Sequence, residues 1–301
     1  FASIIVFIFL IPYTASLYNG LSRLFGMAFD LDYSICIIVM AVLTGIYVIA
    51  GGYMATAIND FIQGIIMIAG IIAVIAAVLN SNGGFMAAYK AMAEVNDATV
   101  SDAPGVFASF FGPDPLGLLG VVVLTSLGTW GLPQMVQKFY AIKDEKAISR
   151  GTIISTVFAL IVAGGCYFLG GFGRLYNIDV AKVGFDAVVP AMLEKLSPFL
   201  IAIVVILVLS ASMSTLSSLV LASSSTLTLD LIKSTVVKKM NEKKQVFVMR
   251  VFVVIFIAIS AAIAMIQYKS KVTFIAQLMG ISWGALAGAF LAPFIYSLYW
   301  K

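Results

Sequence analysis

Asp60 is a lone carboxylate between two long apolar runs, in Gly51-Gly52-Tyr53-Met54-Ala55-Thr56-Ala57-Ile58-Asn59-Asp60-Phe61-Ile62-Gln63. An ionised carboxylate held in hydrocarbon is costly unless it is paired or faces a wet cavity, so this one needs a cationic partner. A second stretch, Ala211-Ser212-Met213-Ser214-Thr215-Leu216-Ser217-Ser218, supplies hydroxyls. Ser210, Ser214, Ser217 and Ser218 recur at intervals of four, three and one, and Ser225 and Thr228 extend the same side, so one helix face carries oxygen. Sodium is a hard cation that takes hydroxyl, carbonyl and carboxylate oxygen, and these two segments together suggest a sodium site. The plainer alternatives are that the serines pack between membrane helices as small polar residues, and that Asp60 caps the start of a helix.

A third segment, Ser126-Leu127-Gly128-Thr129-Trp130-Gly131-Leu132-Pro133-Gln134, interrupts an apolar run with Gly128, Gly131 and Pro133. Such breaks leave backbone groups unpaired, and at membrane depth they survive only when buried in protein or facing a cavity. In transporters they often mark the solute site, although a kink serving packing alone is a fair alternative. Gly280, Gly284 and Gly288, spaced by four, read as a close helix contact. Asp230, beside Lys233, reads as interfacial, which weakens any two-aspartate protease. Histidine is absent, which removes His metal ligands and His general bases and with them most hydrolases.

The elements that position these residues are membrane helices. At 62% hydrophobic and 11% charged, 301 residues have too few polar side chains to cover a soluble domain. Long unalternating apolar runs exclude a β-barrel. Eight spans are expected: Phe1 to Leu24, Tyr33 to Ala50, Ala57 to Leu79, Leu116 to Tyr140, Ile148 to Phe172, Pro198 to Lys233, Val246 to Gln267, and Thr273 to Trp300. A short amphipathic helix is expected near Val188 to Leu196, ended by Pro198. Lys138, Lys143, Lys146 and Arg150 follow the fourth span, and Lys233, Lys238, Lys239, Lys243, Lys244 and Arg250 follow the sixth. Those Lys/Arg-rich loops should be cytoplasmic, and alternation then places Phe1 and Lys301 on the same side. The net charge of +4 is explained by anionic lipid without a nucleic-acid partner. Cys36 and Cys166 lie in apolar runs and should pack as small hydrophobes rather than form a disulfide. No low-complexity linker divides the chain, so residues 1–301 read as one transmembrane domain. The apolar opening at Phe1, without an initiator Met, suggests a piece of a longer protein.

Tyr47 with Gly51-Gly52, Asn59-Asp60 and Gln63 resembles the signature of the sodium/solute symporter family, with Asn where Thr usually precedes the Asp. Met213-Ser214-Thr215-Leu216-Ser217, Ser224-Ser225 and Asp230-Leu231 are similar to the sodium-binding helix of its proline symporters. Pro12-Tyr13-Thr14-Ala15-Ser16, Arg23-Leu24-Phe25 and the stretch Gly284 to Trp300 extend the likeness over nearly the whole chain. The resemblance implies an all-α membrane protein of the leucine-transporter type, two inverted repeats of five helices, of which this chain supplies the third to tenth core helices.

It further implies one sodium site from the Ala211 carbonyl and the Ser214 and Thr215 hydroxyls. A second, as in sialic acid symporters, would use Asp60, Ser214, Ser217 and Ser218. Tyr13, Thr125, Trp130 and Gln134 fall at or beside the family's solute-contacting positions. Thr125 stands where the proline symporters carry Trp, a departure that counts against proline itself as the solute. The expectation is sodium-coupled symport of a small organic solute across the cytoplasmic membrane by alternating access, with Na+ as the coupling ion and no enzymatic activity. A sodium-independent exchanger of the same fold is the alternative, and an intramembrane hydrolase a remote one.

Overall fold

A computed structural model of the chain describes residues 1–139, 142–270 and 274–300, and the side chains of all of these except 51–56 and 137. Tyr140, Thr273 and Lys301, at expected span ends, lie outside the described residues, as do the side chains of the Gly51 to Thr56 stretch. The described residues are helical in the expected places, and they fall into two compact units. One comprises residues 1–63, 124–141 and 209–301, and the other residues 64–123 and 142–208. Seven helical segments among the described residues are long and apolar enough to cross a membrane. The chain is therefore a multi-pass membrane protein.

The first unit is built on α1 (Ala2–Phe29), α10 (Glu242–Ser270) and α11 (Ile275–Tyr299), with α1 packed along both of the others. Its centre holds Leu10, Tyr18, Phe256 and Leu286, all fully buried. Phe7 meets Phe256 edge-on with ring centroids 5.3 Å apart, the geometry that aromatic quadrupoles favour. Pro12 lies inside α1, where it removes one donor from the helix ladder. Nearby, the Phe9 carbonyl accepts a hydrogen bond from the Ser282 hydroxyl of α11, so the disturbed turn is tied to a neighbouring helix. At the far end Tyr33 stacks on Tyr268 at 3.6 Å.

The expected second and third spans are one helical run, α2 (Tyr33–Ser81), 49 residues long. Asp32 opens it, its Oδ1 accepting from the Ser34 and Ile35 amides. At 1.5 Å per residue a straight helix of that length would be about 73 Å long, more than twice a bilayer core. It is bent. Asn59 Nδ2 donates to Tyr47 Oη at 2.9 Å across twelve residues, a rise of about 18 Å in a straight helix. The two side chains together reach only roughly 10 Å, so the helix must fold back between them. The bend therefore lies between Tyr47 and Asn59, and span-length windows lie on either side at Tyr33–Ala50 and Ala57–Ser81.

The expected fourth span is broken as its Gly and Pro residues require, into α4 (Pro115–Ser126), a 3-10 turn at Gly128–Gly131 and α5 (Pro133–Phe139). A Cβ on Gly131 would come within 2.6 Å of the Ala287 Cα, so glycine is what lets this turn lie against α11. The close contact expected of Gly280, Gly284 and Gly288 is not made in this way. Gly284 and Gly288 have no described atom within 4 Å of a built Cβ, and Gly280 makes only an ordinary contact with Leu124. The small residue that matters is Ala287, on a different face of α11.

The second unit contains the later part of α2, the helices α3 (Phe85–Glu94), α6 (Glu145–Gly171), α7 (Val180–Val183) and α8 (Val188–Glu194), and the start of α9 (Pro198–Ser225). Within it Gly70 packs against Leu207, and Gly165 against Ile71 and Ile75, close approaches that a larger residue would block. Arg174 ties its loops together, 3.1 Å from Asp97 Oδ2 and 4.0 Å over the Phe107 ring. The amphipathic helix expected near Val188 is α8, and Pro198 starts the next helix. Beyond Ser225 the chain continues as a π-helical stretch, Thr226–Val236, in which Asp230 is exposed as expected. Both cysteines are free thiols, Cys36 buried and Cys166 exposed.

Candidate functional site

The bent helix α2 delivers Asp60 to the hydroxyl face of α9. Asp60 lies within α2, three residues past Ala57, where the second span-length window of that helix opens. The Ser214 side chain lies beside the carboxylate, and Lys138 Nζ of α5 lies 4.0 Å from Oδ2. Oδ1 is sealed from solvent with no hydrogen-bond partner among the described residues. A buried carboxylate oxygen left without a donor is a strong demand for a cation.

The α9 hydroxyls are set up to meet that demand. Thr215 donates to the Ala211 carbonyl at 3.1 Å, and Ser217 and Ser218 both donate to the Ser214 carbonyl, at 3.0 and 3.2 Å. A hydroxyl has one proton and two acceptor positions, so each oxygen that has given its proton to the backbone keeps its lone pairs for a metal ion. Hydroxyls, a carbonyl-rich helix face and one carboxylate form a hard-oxygen donor set that fits sodium.

Asp60 opens onto a cavity of about 620 Å³ within the first unit, lined also by Gln134, Lys138, Ser218, Ser225 and Arg250 and walled by Val48, Leu221 and Val253. Gln134 is buried, and neither end of its amide has a hydrogen-bond partner among the described residues. Of the expected sodium ligands, Asp60, Ser214 and Ser218 thus come together. Thr215 and Ala211 are bonded to each other on α9, and Ser217 is buried beside them. Of the expected solute contacts, Gln134 joins the Asp60 cavity, while Tyr13, Thr125 and Trp130 do not line it. Tyr13 is buried edge-on against Trp283, centroids 5.6 Å apart; Trp130 is 62% exposed in the 3-10 turn; Thr125 lies in the last turn of α4.

Lys138 and Arg250 were legible only as loop cations. For Lys138 a local signal existed: it follows Gln134 by four residues and so shares its face of α5. Arg250, grouped with the loop cations although it falls inside the span expected from Val246, lines the cavity from α10.

A broken apolar helix, a bent one carrying a carboxylate and a hydroxyl-faced helix thus meet at one cavity. The model of the sodium:solute symporter family matches residues 1–301, and the chain belongs to that family. It is similar to the osmoregulated proline transporter OpuE of Bacillus subtilis (strain 168), 28% identical over 306 residues, covering 100% of this chain and 59% of the relative. The sodium/pantothenate symporter of Haemophilus influenzae is also 28% identical, covering 93% of this chain and 56% of that one. A solved Na+-coupled sialic acid symporter superposes with a TM-score of 0.71 at 18% identity, over 96% of this chain and 61% of that chain. The fold is therefore that of these symporters, an all-α membrane fold of the leucine-transporter type. The chain spans somewhat under two thirds of the length of each of these proteins.

Proposed function

We propose that this chain forms most of the core, as one transmembrane domain, of a sodium-coupled symporter of a small organic solute in the cell membrane. The observation that carries the reading is the pairing of Asp60 with Ser214. A carboxylate from α2 and the hydroxyl face of α9 meet, with Asp60 Oδ1 left for a cation. Asp60, Ser214, Ser217 and Ser218 would hold one sodium ion, and the Ala211 carbonyl with Ser214 and Thr215 a second, with Ser214 common to both.

The mechanism follows from that placement. Sodium between α2 and α9 would fix the two helices where Ser214 lies beside Asp60, and would hold the broken α4–α5 segment ready for solute. If sodium raises solute affinity, solute must raise sodium affinity by the same factor. The membrane potential contributes about 2.3 kcal/mol per charge per 100 mV, which drives the cation, and with it the solute, inward. Tyr13, Thr125, Trp130 and Gln134 would contact the solute. The basic loops after α5 and after the π-helical stretch would face the cytoplasm, with both ends of the chain. Proline, pantothenate and sialic acid, named for the relatives, are all small carboxylates, which makes that the solute class to try first.

The test is counterflow into proteoliposomes of the full-length protein, with labelled amino acids, monocarboxylates and sugars in sodium or potassium. Uptake of one class in sodium alone is the expected result. Equal uptake in both salts would favour a sodium-independent exchanger of the same fold.

A further inference from the structure

We propose that the Lys138 ammonium is the resident counter-cation of Asp60, occupying the carboxylate's field when sodium is absent, and that sodium binds by displacing it. This rests on Asp60 being a sodium ligand. Lys138 Nζ stands 4.0 Å from Asp60 Oδ2, with the lysine side chain 48% exposed and the aspartate 23% exposed. That separation is longer than the roughly 2.7–2.9 Å of a charge-assisted hydrogen bond. The ammonium therefore neutralises the carboxylate without filling its acceptor positions, and Oδ1 stays without a donor. A half-exposed pair at this distance is weak, so a cation that coordinates directly can replace it.

The surroundings dictate where the ammonium goes. The same cavity carries Arg250, so it holds two cations to one carboxylate, and a lysine released from Asp60 meets repulsion rather than a second partner. Its flexible four-carbon stem lets the head swing toward solvent without moving the helix axis. The consequence reaches α5. Gln134 sits one helical turn before Lys138, and the turn that carries Trp130 leads directly into this helix. Releasing the ion pair frees the α5 end of the broken segment at the moment sodium arrives, which connects the cation site to the candidate solute residues through a side chain that touches neither ion nor solute.

Two measurements on the full-length protein in proteoliposomes test this. The first is the sodium concentration giving half-maximal solute uptake, in wild type, Lys138→Gln and Lys138→Arg. Removing an internal competitor should lower that concentration about threefold in Lys138→Gln, while Lys138→Arg stays near wild type. A purely structural lysine would give the opposite sign or no change, and either result overturns the proposal. The second needs no variant: the rate at which an amine-reactive reagent modifies Lys138, read by mass spectrometry, should rise when sodium replaces choline. A rate indifferent to sodium overturns it equally. If wild-type uptake itself ignores sodium, the sodium reading of Asp60 fails first; if it depends on sodium but both lysine readouts are flat, only the displacement idea falls.

Discussion

Tyr47 and Asn59 are joined by a 2.9 Å hydrogen bond across twelve residues of a single helix. That bond records the bend that brings Asp60, the next residue, to Ser214. Losing it should relax the bend and misplace the carboxylate. Tyr47→Phe and Asn59→Ala are each expected to lower stability by about 1 kcal/mol and to weaken sodium dependence. The double variant should be little worse than either single one, because both remove the same bond. Additive losses in thermal stability would show that the two side chains act independently.

Ser214 should be the least replaceable hydroxyl of α9. It lies beside Asp60, whereas Ser223 is buried on another face and donates to the Val220 carbonyl at 3.0 Å. Ser214→Ala should raise the half-saturating sodium concentration by several-fold more than Ser223→Ala, measured by sodium-dependent uptake. Equal effects would mean that the serines serve packing.

Gly131→Ala is expected to destabilise by about 1–3 kcal/mol, since the new methyl would meet the Ala287 backbone at 2.6 Å. Because the obstacle is a Cα, Ala287→Gly should not rescue it. Full rescue, scored by thermal denaturation in detergent, would contradict the close approach.

The helical membrane class, the break at Gly128 to Pro133 and the helix α8 were all legible in the sequence, because apolar length and Gly/Pro punctuation act locally. So was the pairing of Asp60 with the α9 serines, because a carboxylate between apolar runs has few compatible partners. What the sequence did not show depends on through-space geometry. The spans Tyr33–Ala50 and Ala57–Ser81 were legible, but not the bend between them that the Tyr47–Asn59 bond records. The stripe Gly280, Gly284, Gly288 had the right spacing, but which face of α11 meets another element is set by the neighbour. Lys138 looked like a loop charge until α5 turned it toward Asp60.

Asp97 lies outside the spans, and its carboxyl is held below the usual carboxylate range by the Thr99 hydroxyl first and by Arg174 as well. A depressed folded value means that the contribution is fully present above the unfolded pKa of about 3.9 and is lost as pH falls through the lower, folded value. Hydrogen-exchange protection near Arg174, taken relative to intrinsic exchange at each pH, should therefore be unchanged from neutral pH down to the ordinary aspartate pKa and fall only below it. Loss of protection already between pH 7 and 5 would assign the loop's order to another group.

The central claim is that Asp60 and the α9 hydroxyls hold sodium, and binding of radioactive sodium to the purified full-length protein tests it most directly. Asp60→Asn removes the charge that holds the cation but also the cost of burying that charge, so folding should be spared while sodium affinity falls. The account predicts saturable binding in wild type and at least a tenfold weaker affinity in a well-folded Asp60→Asn, about 1.4 kcal/mol. Undiminished binding in a well-folded Asp60→Asn would contradict it.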